Sequence, residues 1–452
     1  MKLIQTIATL ALAFALGAAA SQPLAKTTMA NSTDAAPVVD GDVTEASVNG
    51  MQILVKRVPG AELVAANLYI RGGSRNWGKD DAGVESLALQ VAATGGTKSF
   101  DKIAYSQKLA SLGSTIGAST GRDWSTLGSK GLVGNYDATF GLMADAFLHP
   151  AMPEAEVELA RAQAVINLKR EEEQPEGRLG NLVNDTLYQG QPYENRPQGT
   201  VATVSALKTA QLQSQLAGLR EGSRLLLVVV GDIDAAHVVA QARFAFGSLP
   251  RGSYKDAALP KPHFRASRLV TEQRTLPTNY LQGWFTIPSP GEPGYAAARV
   301  AMNYMWDQLF KEVRTKRNLS YAPGAGVVVG QAGAMGLISV SAVDPTTTYK
   351  VMLDELRRLQ TTPLAPADLA GSKNTYLTNF LAGSETTDGQ AALLALWQLQ
   401  AGDWRRSRTF MDQVRAVTAA DVQAFAKRDF VHLQTVMLGD PAKLDPALGK
   451  GL

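Results

Sequence analysis

LLLVVVGDIDAAHVV, residues 225–239, reads as a buried strand, a Gly-Asp pair and the start of a helix. TVMLGDPAKL, residues 435–444, repeats that design near the other end of the chain. The two pairs, Gly231-Asp232 and Gly439-Asp440, lie 208 residues apart. Upstream of each is a similar helix start, VSALKTAQL from Val204 and VRAVTAADV from Val414, with small and apolar residues at matching places. We read this as an internal duplication.

Between the copies, SLPRGSYKDAALPKPHF, residues 248–264, combines Pro, Gly, Ser and charge without an apolar period, which is linker composition. Within each half, strands and long amphipathic helices are mixed rather than strictly alternating. That pattern predicts an α+β fold of two homologous halves joined by the linker, each an antiparallel-dominated sheet with helices packed on one face. The first half is expected over residues 46–247 and the second over 265–452. In the first, MQILVKRV and ELVAANLYI read as a hairpin across Pro59-Gly60. Helices follow from Val84 and over 101–112, then strands near 114–119 and 124–132, then helices over 136–147 and 153–173. In the second, a strand over 280–287 precedes a helix from Tyr295 to about Lys316, strands near 325–329 and 336–343, and helices to about Arg428.

With 452 residues, 45% hydrophobic and 19% charged, the chain has globular composition and room for two or more domains. Residues 1–20 carry an early Lys2, an apolar run over 3–16 and then Ala18-Ala19-Ala20, the pattern of a secretory signal peptide cut near Ser21. The run is short for a bilayer span of roughly 20 residues, so no membrane span is expected after cleavage. Residues 21–45, rich in Ala, Ser, Thr, Pro and Asp, read as a flexible N-terminal arm. No cysteine is present, hence no disulfide and no thiolate metal site. A periplasmic or secreted location is expected. The formal charge is only +3, with Lys and Arg scattered, which argues against a nucleic-acid partner.

AGVESLALQVAATGGTKSF, residues 82–100, places Val84, Leu87, Ala88, Val91 and Ala92 on one helical face, and Gly95-Gly96 ends the run. With the preceding strand, ELVAANLYIRGGSR from Glu62, this helix resembles the start of the inverted-zincin metallopeptidases, the family of pitrilysin, insulin-degrading enzyme and mitochondrial processing peptidase. The resemblance covers nearly all the mature chain, because that family's half-chain is the same duplicated α+β unit. It implies a helix bearing H-x-x-E-H. When Gly83 and Gly95 are set on the family's glycines, the histidine positions fall on Ser86 and Gln90 and the glutamate on Leu89. A hydroxyl, an amide and an isobutyl group neither hold zinc nor take a proton from zinc-bound water. The family's third ligand, a glutamate on a later long helix, is implied near Ile166 or Asn167, and neither replaces it. Glu171, Glu172 and Glu173 are successive carboxylates that point in different directions on a helix and read as solvated.

A second signature is kept. LFKEVRTKRNLSY, residues 309–321, matches the family's arginine seven residues before a tyrosine with an intervening leucine, here Arg314, Leu319 and Tyr321. In the family this pair holds the substrate backbone and helps stabilise the tetrahedral intermediate, a role that suits a fixed fork of donors and a phenol. The glycine-rich stretch that bacterial relatives carry before it is replaced by AMNYMWDQLFKEV, residues 301–313, in which Met305 and Trp306 either close a space that a substrate backbone would otherwise occupy or, as their helical spacing favours, belong to the core.

Gly117-Ala118-Ser119-Thr120-Gly121 fits G-x-S-x-G, but the following residues continue as strand, whereas a serine-hydrolase elbow needs a strand-to-helix turn. His149, His237, His263 and His432 have no second ligand at metal spacing. Gly95 to Ser99 lacks the frame of a phosphate loop. The expected function is therefore that of a non-catalytic, substrate-binding subunit of an exported heteromeric zinc peptidase. Such a chain binds no metal itself, is inactive alone, and pairs with a homologue that carries the zinc and H-x-x-E-H. The alternative is a peptidase-like scaffold or peptide-binding protein with no proteolytic role. A two-lobed solute-binding protein would leave the duplication and the Arg314 to Tyr321 motif unexplained.

Overall fold

A computed structural model describes residue 34 and residues 36–451. The signal-peptide reading of 1–20 and the arm residues up to 33 lie outside the described residues. The first half contributes β1 (Val38–Asp40), β2 (Val43–Val48), β3 (Met51–Arg57), β4 (Leu63–Arg71), β5 (Thr115–Thr120), β6 (Trp124–Leu132) and β7 (Leu225–Gly231). They form one sheet in the order β1-β2-β3-β7-β4-β6-β5. The second half contributes β8 (Arg268–Gln273), β9 (Asn279–Ile287), β10 (Gly324–Gly330), β11 (Gly333–Ala342) and β12 (Gln434–Gly439), in the order β8-β12-β9-β11-β10. Apart from β1 and β2, the two sheets have the same topology. The first strand of each five runs parallel to the last, and all other pairs are antiparallel. The two strands that end in Gly231 and Gly439 occupy equivalent places, which is the duplication at the level of structure.

The helices follow the same plan. In the first half they are α1 (Val84–Thr94), α2 (Lys102–Ser111), α3 (Tyr136–Leu148), α4 (Glu154–Glu173), α5 (Pro175–Leu187), α6 (Val201–Ala206), α7 (Thr209–Leu219) and α8 (Ala235–Phe246). In the second they are α9 (Tyr295–Leu309), continued by a π-helical turn over Phe310–Thr315, then α10 (Pro345–Thr361), α11 (Pro366–Gly383), α12 (Thr387–Ala401), α13 (Arg406–Ala416) and α14 (Ala419–Asp429). Each half has its own main core between its sheet and most of its helices.

The other face of each sheet is covered from across the molecule. Leu394, Ala395 and Leu399 of α12 pack with Leu54, Leu226 and Val228 of the first sheet. Reciprocally, Leu179, Val183 and Leu187 of α5 pack with Met335, Val436 and Leu438 of the second. In chain order α5 and α12 are equivalent helices, so the exchange is symmetric. It explains the unbroken apolar run in β7: Leu225, Leu227 and Val229 enter the first core, while Leu226, Val228 and Val230 meet α12.

Two expectations are corrected. β3 and β4 are not a hairpin, because β7 lies between them, parallel to β3 and antiparallel to β4. A strand apolar on both faces belongs at a sheet's centre, and β7 takes the place that chain proximity would have given β4. The flexible arm expected over 21–45 is also corrected in its described part, where β1 and β2 extend the first sheet. Val43, Ala46 and Val48 are buried there. The acidic residues that made this stretch look solvated are paired with the second half: Arg405 binds Asp40 at 2.7 Å and Glu45 at 3.0 Å, and Arg408 binds Asp40 at 2.6 Å.

The stretch read as linker has no helix or strand between α8 and β8, and it is pinned. Asp256 accepts from Arg75 at 2.7 Å and from Arg71 at 3.1 Å, while Tyr254 lies under Arg224 with 3.9 Å from guanidinium to ring centre. A buried cluster ties the same region to the second half. Asp123 accepts from the Tyr193 hydroxyl and the Gln331 amide, and the Ala332 amide donates to Tyr193.

Candidate functional site

Gly83 opens α1 in a left-handed conformation with φ +93°, and a Cβ there would lie 2.8 Å from Val204 and 2.9 Å from the Gln198 carbonyl. That close approach fixes the rotation of the helix. Ser86 and Gln90, one turn apart, then face α4, where Gln163, Asn167 and Glu171 follow at four-residue steps along one face. With Gln198 these six side chains line a cleft of about 170 Å³. Its apolar part comes from Leu87, Ala160, Ala164 and Val204. A second cavity of about 610 Å³ adjoins it through Leu168, Glu171 and Gln198 and reaches Arg122 and Asn184.

The structure thus brings together the three positions at which the resemblance places metal ligands. Asn167, not the half-exposed Ile166, faces Ser86 and Gln90. Leu89 does not join them, being fully buried in the first core. Of the three successive glutamates, Glu172 binds Arg178 at 3.0 Å, Arg196 at 3.1 Å and Asn181 at 2.7 Å, which leaves Glu171 alone at the cleft. A hydroxyl and two amides do not make a zinc site. No group of three or more His, Cys, Asp or Glu side chains suited to a metal occurs among the described residues. His149 pairs with Asp145 at 3.1 Å and His237 with Asp137 at 2.6 Å. Ser119 lies within the β5–β6 hairpin, not at an elbow.

Sequence reasoning missed Glu85, the neighbour of Ser86 on the other side of α1. It is 1% exposed and accepts hydrogen bonds from the Ser125 hydroxyl, from Gln215 at 3.0 Å and from Trp77 at 3.2 Å. Burial pushes its carboxyl above the ordinary value of 4.5, against the pull of those three donors. Its sequence signal is faint, a lone acid in the first helical turn where acids are common. Gln163 and Gln198 were missed too, although Gln163, Asn167 and Glu171 form a polar stripe at helical spacing.

The arginine–tyrosine pair is assembled elsewhere. Arg314 sits in the π-helical turn with its guanidinium 3.9 Å from the ring centre of Tyr321 and 4.7 Å from that of Phe310. Trp306 stacks on Phe310 at 5.7 Å, so three aromatic rings and one cation form a ladder at the surface. Trp306 is 47% exposed and Tyr321 77%, while Met305 is fully buried. The core reading therefore holds for Met305 and fails for Trp306, whose ring the π-turn leaves outside on Phe310. Among the described residues, neither the Arg314 guanidinium nor the Tyr321 hydroxyl has a hydrogen-bond or ion-pair partner; the guanidinium lies over the rings of Phe310 and Tyr321. No second-half residue lines the α1–α4 cleft.

Comparison with known proteins decides the family. Residues 52–200 match insulinase (peptidase family M16), and residues 211–376 match the peptidase M16 inactive domain. The chain belongs to the M16 peptidase family. An uncharacterized zinc protease of Rickettsia felis is 22% identical over 407 residues, which cover 88% of this chain and 97% of that one. Among solved structures, a peptidase M16 inactive domain from Pseudomonas fluorescens superposes with a TM-score of 0.80 at 20% identity, covering 89% of this chain and 99% of that one. The periplasmic protease PqqL from Escherichia coli superposes with a TM-score of 0.74 at 14% identity, covering 94% of this chain but 49% of that one. Within M16, this chain is a member whose sequence contains no H-x-x-E-H. No described helix is long and apolar enough to cross a membrane.

Proposed function

We propose that this chain is the non-catalytic, substrate-binding subunit of an exported heteromeric zinc metallopeptidase that cleaves peptides or unfolded segments. It completes the active-site chamber of a homologous partner, which holds the zinc. The observation that carries this reading is the state of Arg314. Its guanidinium lies over the rings of Phe310 and Tyr321, yet its N–H groups have no hydrogen-bond partner among the described residues and are available to a peptide carbonyl or a developing oxyanion. A chain with this pair and without a metal site has use for it only beside a metal supplied by another chain. The length of PqqL supports the reading, since this chain spans about half of that protease and so corresponds to one of two such units.

The test is co-expression with a homologue that carries H-x-x-E-H, followed by size-exclusion chromatography, metal analysis and peptide cleavage. Arg314→Ala should lower turnover of the mixed complex by about a hundredfold while its zinc content stays unchanged. Unchanged turnover would remove the role of Arg314. A mixed complex that cuts no faster than the zinc homologue alone would leave the scaffold reading in place.

A further inference from the structure

The second half contains a closed counterpart of the α1–α4 cleft. α9 is the second-half equivalent of α1 and also starts at a left-handed glycine, Gly294 with φ +89°. Ala297 and Ala301, at the steps after Gly294 that Ser86 and Gln90 take after Gly83, are buried. There α9 is fastened directly to α11, with the Ser372 hydroxyl donating to the Val300 carbonyl at 2.9 Å and Asn303 donating to the Ser372 carbonyl at 3.1 Å. In the first half the same place is a cleft. Ser86 is half-buried, Gln90 is exposed, and their side-chain polar groups have no partner among the described residues.

Ser86, Gln90 and Gln198 can each donate or accept, and the polarity of the cleft floor is set by α4. Gln163 donates to Asn167 Oδ1 at 3.0 Å, which takes one of that oxygen's two lone pairs and leaves the Asn167 NH₂ as an unengaged donor. One turn further, Glu171 is a carboxylate with no hydrogen bond or ion pair among the described residues, an acceptor only. A donor and an acceptor one helical turn apart in the same cleft can together meet a carboxamide, which presents C=O and NH₂ side by side. A carboxylate would be repelled by Glu171, and an ammonium would leave the Asn167 donor unmet. The volume, about 170 Å³, lies below the ~300 Å³ of small-molecule pockets and suits one side chain, whose stem would rest on Leu87, Ala160 and Val204.

We propose that the cleft between α1 and α4 binds the side-chain carboxamide of a glutamine or asparagine in a peptide, in the place where relatives hold metal. The proposal concerns this chain alone and does not require a zinc-bearing partner. It is tested by saturation-transfer NMR on the full chain with the capped tripeptide Ac-Ala-Gln-Ala-NHMe and its versions with Met, Glu or Lys at the centre. The Gln peptide is expected to bind about tenfold tighter than the other three, with saturation strongest on its side-chain protons. Ser86→Phe, which fills the cleft, should abolish that preference, and Glu171→Gln should reduce it and raise affinity for the Glu peptide. Thermal melts of both variants report whether the fold persists, and Gln90→Ala serves in place of any that fails. Equal binding of the four peptides, tightest binding of the Lys peptide, or a Gln preference that survives these substitutions would overturn the proposal.

Discussion

Glu85 and Ser86 are adjacent in sequence and have opposite fates: one is sealed beneath Trp77, Ser125 and Gln215, the other opens on the cleft. Because burial raises the Glu85 pKa above 4.5, the folded chain keeps this proton to higher pH than the unfolded chain does. Its contribution to stability is therefore fullest below 4.5 and declines as pH climbs through the folded value. Glu85→Gln should remove that decline, so urea unfolding near pH 5 and near pH 8 should show the variant gaining on the parent at the higher pH. A difference that does not change with pH would contradict this. The cleft makes a second residue-scale prediction. Ser86→His, Gln90→His and Asn167→Glu together should give a chain that takes up zinc in metal analysis yet cuts no peptide, since Leu89 supplies no base. Ser86, Leu89 and Gln90 were legible because two glycines fix the frame around them. Glu85 was not, because its partners lie up to 130 residues away and nothing local distinguishes it from a solvated helix-start acid.

Most helices and strands were legible from periodicity, and their neighbours in the sheets were not. α1 was readable because its apolar face and its flanking glycines agree. Gly83→Ala would force a side chain into a left-handed position against Val204 and Gln198, and should cost about 2 kcal/mol or more in chemical denaturation, with loss of the cleft. The failed hairpin is the instructive case. MQILVKRV and ELVAANLYI have the right pattern and the right turn, and only a third strand more than 150 residues later decides that they never touch. The helix through Phe310–Thr315 was legible as helix, but its π-turn was not. That turn carries Arg314 onto the Tyr321 ring, and such turns recur at functional sites.

Across the whole molecule, the duplication was legible from Gly231 and Gly439, while the exchange of α5 and α12 was not. Each helix has an apolar face that looks from sequence like part of its own half. The exchange is reinforced by ion pairs that cross between halves, with Arg178 of α5 on Glu272 of β8 at 2.9 Å, and Arg405 on Asp40 and Glu45. Expressed separately, residues 34–252 and 253–452 would each expose an apolar sheet face and should aggregate or run as large species in size-exclusion chromatography. Co-expression of the two pieces should restore a compact complex of the parent's size. Separate soluble, monomeric halves would show that the exchanged helices are dispensable. The exchange also bears on how such a protein is inherited: once the two helices had crossed over, neither copy could be kept without the other, and the two would have to be made together.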